Sequence, residues 1–379
     1  MKPVVLTVNT GSSSVRLAAF APQGESLSRG ASGHFSGNWN EPAAMLRAFL
    51  KGHGIEAVAA VAHRIVHGGA RLTAPCRIDA AVEAEIERLA PLAPLHNPRA
   101  LEWIRACRAL FGADTTQVAV FDTAFYAALP EAAATYALPR ALTARHGIRR
   151  YGFHGLAHQA MWRRWRELKP ELPAGGRVIS LQLGAGCSIT AIREGQAVDT
   201  SMGLSPLEGL VMATRSGDVD PGLLLFLQRA EGMTPERMER LLNEEAGLLG
   251  LSGTSGDMRA LLEADDADAR RAVDVYCYRA RKYIGAYLAA LGGADAILFG
   301  GGVGEQAPGV RARMLSGLEG LGIALDDNAN RAAIGAEMCI SARGSATAVW
   351  VVPVDEAAIL AEAAVAAAPE AVSVQEKKA

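Results

Sequence analysis

The sequence lacks the features that would place this protein in a membrane, on nucleic acid or in an oxidising compartment. Its five cysteines are odd in number, widely scattered and free of any CxxC pair, which argues against a disulfide framework and a zinc site. Polar residues interrupt the apolar runs before they reach the length of a membrane span, and the N-terminal run is too short for a signal peptide. A net charge of −2 provides no basic surface for nucleic acid. We therefore expect a cytoplasmic protein with no membrane or nucleic-acid partner.

What the sequence does contain is one pattern twice. Residues 178–192 consist of an apolar run, a tight turn of small residues and a second apolar run, which predicts two strands joined by a hairpin. Residues 4–20 repeat that order. With 379 residues, half of them hydrophobic, the chain is long enough for two domains with separate cores. Two such hairpins could bind a polyphosphate, because glycine and serine turns let backbone N–H groups approach an anion. The alternative is two ordinary β-hairpins.

Charged residues stand at the ends of two predicted strands in the N-terminal half. The apolar run of residues 58–62 leads to Arg64, and residues 117–121 lead to Asp122. Strand ends commonly present ligand-binding side chains, and an arginine suits a bidentate grip on a carboxylate or phosphate. Taken alone, Arg64 is better explained by a surface ion pair, and Asp122 equally well by a helix cap.

A proline-rich loop, residues 90–98, carries His96 and Asn97. Proline holds such a loop in one shape, which suits the wall of a binding site. The same residues also read as a helix start, with Asn97 as the cap and Pro98 at the first helical position. We expect the loop to serve both purposes.

The C-terminal half contains further polar, glycine-rich loops. His154 is flanked by Gly152 and Gly155, which leave room for a ligand to reach the imidazole. Arg215 lies in the turn 214–218 and could converge with Arg64 on one anion. The remaining histidines considered are interpreted as structural or solvated: His53, His63 and His146.

Several other segments complete the predicted organisation. The pattern predicts a linker at residues 167–177, a loop at 248–259, a long helix at 267–291, and a strand from residue 294 that runs into a glycine-rich turn. Residues 302–307 fit a loose dinucleotide fingerprint, but they follow several strands and helices of their own half rather than its first strand. The last strand, from residue 348, ends at Glu356.

Taken together, eight segments resemble the acetate kinase family and stand in that family's order along nearly the whole chain. They are Asn9-Thr-Gly-Ser-Ser-Ser14, His63-Arg-Ile-Val-His-Gly-Gly69, Pro94-Leu-His-Asn-Pro98, Phe121-Asp-Thr-Ala-Phe125, Tyr151-Gly-Phe-His-Gly155, Asp199-Thr-Ser-Met-Gly203, Thr214-Arg-Ser-Gly-Asp218 and Gly250-Leu-Ser-Gly253.

The resemblance implies an α/β, duplicated, actin-like (ribonuclease H-like) fold with two lobes around a nucleotide cleft, and commonly a homodimer. The N-terminal lobe is expected to hold residues 1–150 and 358–379, with the substrate site and the first phosphate hairpin. The C-terminal lobe, residues 151–357, is expected to bind the nucleotide. The implied reaction is the reversible transfer of the γ-phosphoryl group of ATP to acetate, giving acetyl phosphate and ADP, with Mg²⁺ or alternatively Mn²⁺.

The resemblance also implies roles for individual residues. In-line phosphoryl transfer needs positioning and charge neutralisation more than covalent chemistry. Arg64 would hold the substrate carboxylate, Asp122 is the family's active-site acid, and Arg215 with His154 would stabilise the transferring phosphoryl group. The other substrate contacts implied are Val66, Leu95, His96, Phe153 and Pro206, and the implied metal ligands are Asn9 and Glu356. The nucleotide contacts implied are Ser12, Ser14, Arg16, Gln182, Gly184, Ala185, Gly186, Asp257, Met258, Arg259, Gly302, Val303, Gly304, Glu305 and Gln306.

The chain departs from the family pattern in its second hairpin. Where the family has His-Leu-Gly-Asn-Gly, this sequence has Gln182-Leu-Gly-Ala-Gly186, so Gln182 cannot carry a charge and Ala185 has lost a side-chain donor. Loss of one such donor could cost roughly 2.7–4 kcal/mol of transition-state stabilisation. Smaller departures are Arg16 for a lysine, Gln306 for an asparagine, and Val354-Asp355 for Thr-Asn. They leave three alternatives to acetate kinase: a kinase of propionate or another short-chain carboxylate, a kinase with a donor such as pyrophosphate, or a weakened nucleotide-binding sensor.

Overall fold

The computed structural model of this chain describes residues 3–11, 14–23, 26–37 and 41–367. The chain divides into two compact units, Met1–Ala127 with Asp355–Ala379, and Ala128–Val354. Residues 128–150 thus belong to the second unit and residues 355–357 to the first, whereas the sequence analysis assigns them the other way. The assignment of substrate and nucleotide to separate lobes stays a prediction.

The first unit is built on a six-stranded sheet whose strand order is β3-β2-β1-β4-β6-β5. β1 and β2 form the predicted hairpin, and β1, β4 and β6 run parallel to one another. The elements up to residue 121 are β1 (Val4–Thr10), β2 (Ser14–Gln23), β3 (Ser26–Ser36), α1 (Pro42–Gly52), β4 (Val58–Ile65), β5 (Cys76–Arg77), α2 (Ala80–Arg88), α3 (Asn97–Phe111) and β6 (Thr116–Phe121).

Apolar spacing explains how α3 covers this sheet. Its buried residues include Ala100, Trp103, Ile104 and Cys107, which recur at the three- and four-residue intervals of one helical face. Trp103 packs with the inward-facing residues of β1 and β2 in one core cluster. The parallel strands are buried along nearly their whole length, so they have the continuous apolar runs that the sequence analysis interprets as strands.

The second unit is built on another six-stranded sheet, with the order β11-β12-β10-β7-β8-β9. The long helix α11 packs against β7, β8 and β9, and α6 packs against β7 and β10. Its elements are α4 (Glu131–Ala134), α5 (Arg140–His146), α6 (Gly155–Leu168), β7 (Arg177–Leu183), β8 (Cys187–Arg193), β9 (Gln196–Thr200), α7 (Pro221–Ala230), α8 (Pro235–Arg240), α9 (Gly247–Ser252), α10 (Met258–Glu263), α11 (Ala267–Leu291), β10 (Ala296–Gly300), α12 (Gly301–Gln306), α13 (Pro308–Leu315), α14 (Asp327–Ala332), β11 (Met338–Cys339) and β12 (Ala348–Val351). The last described element is α15 (Glu356–Ala367), which packs on β1, β4 and β6 of the first unit.

The two sheets have the same topology, strand for strand. In each, three antiparallel strands (β1–β3 and β7–β9) are followed by two strands parallel to the first of them, and a two-residue antiparallel strand pairs with the last. The repeated hairpin is therefore part of a repeated domain. The predicted duplicated α/β fold is confirmed.

Three local predictions are wrong. The segment 167–177 is not a linker between units, because it lies within the second unit, where the indole N–H groups of Trp162 and Trp165 donate to the carbonyls of Ala174 and Gly175. The glycine-rich segment after β10 is the helix α12 rather than a turn, and the predicted loop 248–259 contains α9 and the start of α10.

The predicted cap of α3 is also displaced by one residue. The helix has His96 at the N-cap, and Asn97 is already helical. The side chain of Asn97 is fully buried and instead bridges to the backbone of His67, accepting from its N–H at 3.2 Å and donating to its carbonyl at 3.0 Å. A buried amide must satisfy both of its polar ends, and here it does so outside its own helix.

Within the described ranges, no helix combines the length and the apolar character needed to cross a bilayer.

Candidate active site

Three parallel strands of the first unit end at the same edge of their sheet. Asn9 lies near the end of β1, Arg64 near the end of β4, and Asp122 follows β6 directly. The register of these strands brings the three side chains together. Polar side chains at the carboxyl ends of adjacent parallel strands are the usual arrangement of a ligand site in an α/β sheet.

Arg64 and Asp122 form a bidentate ion pair. Arg64 Nε donates to Asp122 Oδ1 at 3.1 Å, and Nη2 donates to Oδ2 at 2.7 Å. The carboxylate of Asp122 is fully buried and the side chain of Arg64 is 11% exposed. Burial works against the charge of the guanidinium, but the carboxylates of Asp122 and Glu356 outweigh it and raise the pKa of Arg64 above its ordinary value. The surface ion pair considered for Arg64 is therefore a buried one.

The same guanidinium extends the network to Asn9 and Glu356. Arg64 Nη1 donates to Asn9 Oδ1 at 3.2 Å, and Asn9 Nδ2 donates to Glu356 Oε2 at 2.5 Å. Glu356 is the first residue of α15 and is largely buried. The second half of the N-terminal hairpin is more open: Ser14 is half-buried and Arg16 exposed, whereas Ser12 lies outside the described residues.

The resemblance to acetate kinases implies a Mg²⁺ ion at this network. Among the described residues there is no cluster of three or more His, Cys, Asp or Glu side chains that could hold a metal ion without help. Mg²⁺ does not require one, because it keeps several waters and usually binds through one or two carboxylates. Glu356 and Asn9 provide one carboxylate and one amide oxygen, which fits that chemistry. Their role as metal ligands stays a prediction.

The predicted contacts of the substrate methyl group have unequal exposure. In the first unit Val66 is buried, Leu95 is 47% exposed and His96 is half-buried. In the second unit Phe153 is buried and Pro206 half-buried. Their role in substrate binding stays a prediction.

The second hairpin, β7–β8, turns through Gly184, Ala185 and Gly186. Gly184 N donates to Gly186 O at 3.1 Å, and Ala185 is exposed at the tip. Gln182, near the end of β7, has a buried Oε1 for which the described part of the chain provides no hydrogen-bond partner. A Cβ atom at Gly301 would lie 2.9 Å from Gln182 Nε2, so the amide is close to the start of α12.

His154 and Arg215 both reach this hairpin. A Cβ atom at Gly186 would lie 3.2 Å from Arg215 Nη2 and 3.3 Å from His154 Nε2, so only glycine leaves these two side chains their positions. His154 has a left-handed backbone (φ 56°), which is rare and costly for a residue with a side chain. Strain of this kind is typical of residues that a site holds in place.

The charge of Arg215 lies largely out of water and has no counter-ion among the described residues. Its one hydrogen bond is from Nη1 to the carbonyl of Pro206 at 2.7 Å, and no carboxylate among the described residues pairs with it. Burial lowers the pKa of its guanidinium, because no neighbouring carboxylate compensates for the lost hydration. A buried guanidinium with N–H donors to spare beside a glycine turn is suited to bind an anion.

The predicted nucleotide segments lie on two helix starts. Asp257 is the N-cap of α10 and accepts from Arg259 N at 3.0 Å, while Met258 is buried in the core. In α12, Gly302 and Gln306 are exposed, Val303 is half-buried and Gly304 is buried. Glu305 Oε1 accepts from the backbone N–H groups of Gly301 (2.9 Å) and Val354 (3.1 Å). The carboxylate of Glu305 thus stabilises the fold, and nucleotide binding by these segments stays a prediction.

Sequence reasoning did not single out three buried residues that support these side chains. Arg311 donates to the carbonyls of Gly304 and Glu305 and so holds the end of α12, while Ser188 and His158 lie behind His154. The i, i+4 spacing of His154 and His158 at a helix start was a usable signal. Nothing in the local sequence around Arg311 indicates its buried carbonyl partners.

Comparisons with known proteins show the family of this chain. The Acetokinase family matches residues 43–362, which is most of the chain. A relative from Solibacter usitatus, an acetate kinase, is 49% identical over 308 residues that cover 80% of this chain and 74% of its own. This chain belongs to the acetokinase family. The family predicted from the eight motifs is confirmed, and with it the class of enzyme, a phosphotransferase.

Solved structures of acetokinase relatives extend the agreement to the fold. The acetate kinase of Porphyromonas gingivalis is 37% identical, with a TM-score of 0.87 over 96% of this chain and 99% of its own. A propionate kinase from Francisella tularensis is 33% identical, also with a TM-score of 0.87, over 95% of this chain and 98% of its own. The acetokinase fold therefore covers nearly the whole chain.

A buried histidine beside Arg64 predicts how stability depends on pH. His63 Nε2 lies 2.7 Å from Gln117 Oε1, and burial lowers the pKa of His63 from 6.5 to about 4. Below pH 6.5 His63 becomes protonated in the unfolded chain, whereas in the folded chain it stays neutral down to about pH 4. We expect this histidine alone to remove about 2 kcal/mol of folding free energy between pH 7 and pH 5.

The measurement is urea unfolding at pH 7 and pH 5. His63→Gln should reduce the pH-dependent loss of stability by about 2 kcal/mol, since glutamine cannot bind the proton. His146→Gln, which removes an exposed histidine, is the matched control and should leave the loss as it is in the unmutated protein. An equal pH dependence in all three proteins would contradict the assignment of a neutral, buried His63.

Proposed function

We propose that this chain catalyses the reversible transfer of the γ-phosphoryl group of ATP to acetate, giving acetyl phosphate and ADP. The observation that carries the proposal is the pairing of Arg215, a buried guanidinium without a counter-ion, with His154 at the glycine turn of the second hairpin. Family membership supports the same reaction.

The chemistry explains why positive charge and hydrogen-bond donors are sufficient. An acetate oxygen attacks the γ-phosphorus, the bond to the β,γ-bridging oxygen breaks, and its electron pair stays on ADP. The acceptor is already an anion, so no proton has to be removed. The protein must therefore position two anions and stabilise the charge on the three equatorial oxygens. Arg215 and the imidazole N–H of His154 are the donors we assign to those oxygens.

The first unit would bind the acceptor and the metal ion. Arg64, oriented by its bidentate bond to Asp122, would bind the acetate carboxylate. Asn9 and Glu356 would hold Mg²⁺, or Mn²⁺ as an alternative ion, directly or through water. When bound, this ion neutralises charge on the phosphate oxygens of the nucleotide. The two hairpins and the segments 257–259 and 302–306 would bind the nucleotide.

The first test is an acetyl-hydroxamate assay that crosses acceptors with donors. Acetate, propionate and butyrate are each supplied with ATP or pyrophosphate, with EDTA added to parallel reactions. We expect turnover to be fastest with acetate and ATP, and to be lost with EDTA. Faster turnover with propionate or pyrophosphate would replace the proposed substrate, and no turnover with any pair would contradict an enzymatic function.

The same assay tests the residue that carries the proposal. Arg215→Lys keeps the charge but loses the planar fork, and we expect kcat to fall by about 100-fold or more. Arg229→Lys, an equivalent change at an exposed position of α7, is the control and should retain the unmutated rate. Equal rates for the two variants would exclude Arg215 from phosphoryl transfer.

The second hairpin offers a gain-of-function prediction. Gln182 carries a buried Oε1 without a partner, and Ala185 has no side-chain donor at the exposed tip. The double variant Gln182→His with Ala185→Asn restores the family's donors, so we expect kcat to rise by roughly tenfold or more. Gln196→His at an exposed position of β9 is the control. An unchanged rate in the double variant would mean that the missing donors are compensated elsewhere in the site.

We also propose that the protein is a cytoplasmic homodimer. Helix α7 supports the dimer, because its ten residues include none that is buried, and Leu223, Leu225 and Phe226 are about half exposed. An exposed apolar helix face of this kind is typical of a surface that another protein covers. The described cysteines, all of them free thiols, are consistent with a reducing compartment.

Light scattering after size-exclusion chromatography tests the dimer. Phe226→Glu places a charge on the apolar face of α7 and should halve the measured mass. Leu321→Glu is the matched control, since Leu321 is equally exposed but lies elsewhere in the second unit, and it should stay dimeric. A monomeric unmutated protein, or a dimeric Phe226→Glu variant, would contradict this assignment of the interface.

A further inference from the structure

A chain of hydrogen bonds runs from His154 into the core of the second unit. His154 Nδ1 lies 2.9 Å from Ser188 Oγ, which lies 2.7 Å from His158 Nε2. His158 Nδ1 lies in turn 2.8 Å from Ser180 Oγ. Ser188, His158 and Ser180 are fully buried, so solvent does not compete for these bonds.

The single proton of Ser188 links the protonation of the two rings. The hydroxyl oxygen could accept from both rings, but the buried proton of Ser188 has no acceptor among the described residues other than these two imidazole nitrogens. Because an unsatisfied buried donor is costly, the hydroxyl donates to one nitrogen and accepts from the other. Burial lowers the pKa of His158 to about 3, so its ring is neutral and has one donor and one acceptor nitrogen. Two arrangements remain. Either His158 Nε2 donates to Ser188 and Ser188 donates to His154 Nδ1, or both bonds run in the opposite direction.

Ser180 distinguishes the two arrangements. If His158 Nδ1 accepts, the hydroxyl of Ser180 donates to it at 2.8 Å. If His158 Nδ1 donates, the proton of Ser180 has, within the described part of the chain, only Met161 Sδ at 3.8 Å. A thioether is a weak acceptor, and a buried donor without a good acceptor is costly. The first arrangement is therefore favoured, and it leaves His154 Nδ1 without a proton.

Arg215 independently favours a neutral His154. Arg215 Nη2 and His154 Nε2 both lie within 3.3 Å of the same point, the position of a Cβ atom at Gly186. A charged imidazole there would add a second cation close to the guanidinium of Arg215, and neighbouring like charges destabilise each other. A neutral ring with a bare Nδ1 carries its proton on Nε2, the nitrogen that lies against the hairpin.

We propose that His158 is a positioning residue for His154: acting through Ser188, it holds the ring of His154 as the neutral tautomer whose Nε2–H points at the phosphate hairpin. The ligand recognised by this N–H is an anionic phosphoryl oxygen. The inference rests on the proposed phosphoryl transfer for its catalytic consequence, but the tautomer and its dependence on Ser188 are properties of the protein alone.

The first test removes the linking hydroxyl. In Ser188→Ala we expect kcat to fall about 10- to 100-fold, the usual effect of losing a partner that orients a functional histidine. The KM values for acetate and ATP should change less than threefold. Thr190→Val is the matched control, because Thr190 is a buried hydroxyl two residues along the same strand and valine has its shape. If Ser188→Ala keeps the kcat of Thr190→Val, the proposal is wrong.

The second test separates positioning by His158 from simple filling of space. In His158→Gln the side-chain amide lies near the former Nε2 and can still bond to Ser188. In His158→Asn the shorter amide lies near the former Nδ1 and reaches only Ser180. We expect kcat of the glutamine variant to exceed that of the asparagine variant by about tenfold, with thermal unfolding confirming that both are folded. Equal rates in two folded variants would overturn the role of His158.

The third test reads the tautomer without any assay. In protein labelled with ¹⁵N-histidine, the signals lost in His154→Gln belong to His154. They should show a protonated Nε2 and a bare Nδ1 in the unmutated protein and in Thr190→Val, and a mixture of tautomers in Ser188→Ala. A protonated Nδ1 in the unmutated protein would overturn the proposal. If the protein shows no turnover in the assay but His154 has the expected tautomer, the proposed function is contradicted and this inference still holds.

Discussion

The structure depends on how it compensates buried guanidinium groups for the hydration they lose. Three arginines are largely or wholly removed from water, and each is satisfied differently. Arg64 is paired with a carboxylate, Asp122, in a bidentate bond. Arg311 is fully buried and pairs with no carboxylate in the described part of the chain, but backbone carbonyls and the side-chain amide oxygen of Asn330 accept from its N–H groups. Arg215 donates to one carbonyl among the described residues, that of Pro206. A buried charge is tolerated when its hydrogen bonds are made, so the incomplete set at Arg215 leaves N–H donors for a ligand and supports the anion-binding role proposed for it.

The duplicated sheet explains why polar residues gather where they do. In both units the parallel strands end at one edge of the sheet, and the first hairpin of each unit turns at that edge. Duplication supplied two equivalent edges, and the side chains at them have since diverged. The first unit has Asn9, Arg64 and Asp122 there, joined in one network with Glu356. The second has Gln182 and a hairpin open enough for His154 and Arg215 to reach it.

The sequence was sufficient for what is encoded locally. Strands of continuous apolar residues, the two hairpins and the 25-residue helix α11 follow from periodicity, and the order of motifs identified the family. It failed where a side chain outside the segment satisfies the backbone carbonyls of that segment. The prolines and glycines of residues 167–177 suggest a linker, but Trp162 and Trp165 bind that segment to α6. The glycines of α12 suggest a turn, but Arg311 holds the carbonyls at the end of the helix. The prolines and glycines of each segment do not show that these side chains reach its carbonyls.

In the site, too, the sequence does not indicate which residues control the protonation of His154. His154 was conspicuous because glycines surround it, whereas Ser188 and His158 have the appearance of ordinary core residues. Their importance follows from a count of donors: one hydroxyl proton, two facing imidazole nitrogens and a second serine whose own proton needs an acceptor. A neutral His154 also fits the charges of the second unit, because Arg215 already contributes one cation that no carboxylate among the described residues pairs with. In the proposed reaction, a neutral ring would donate its N–H to a phosphoryl oxygen without adding a second positive charge beside Arg215. The strained backbone of His154 is then the cost of placing a neutral donor at a point where a second cation would be destabilising.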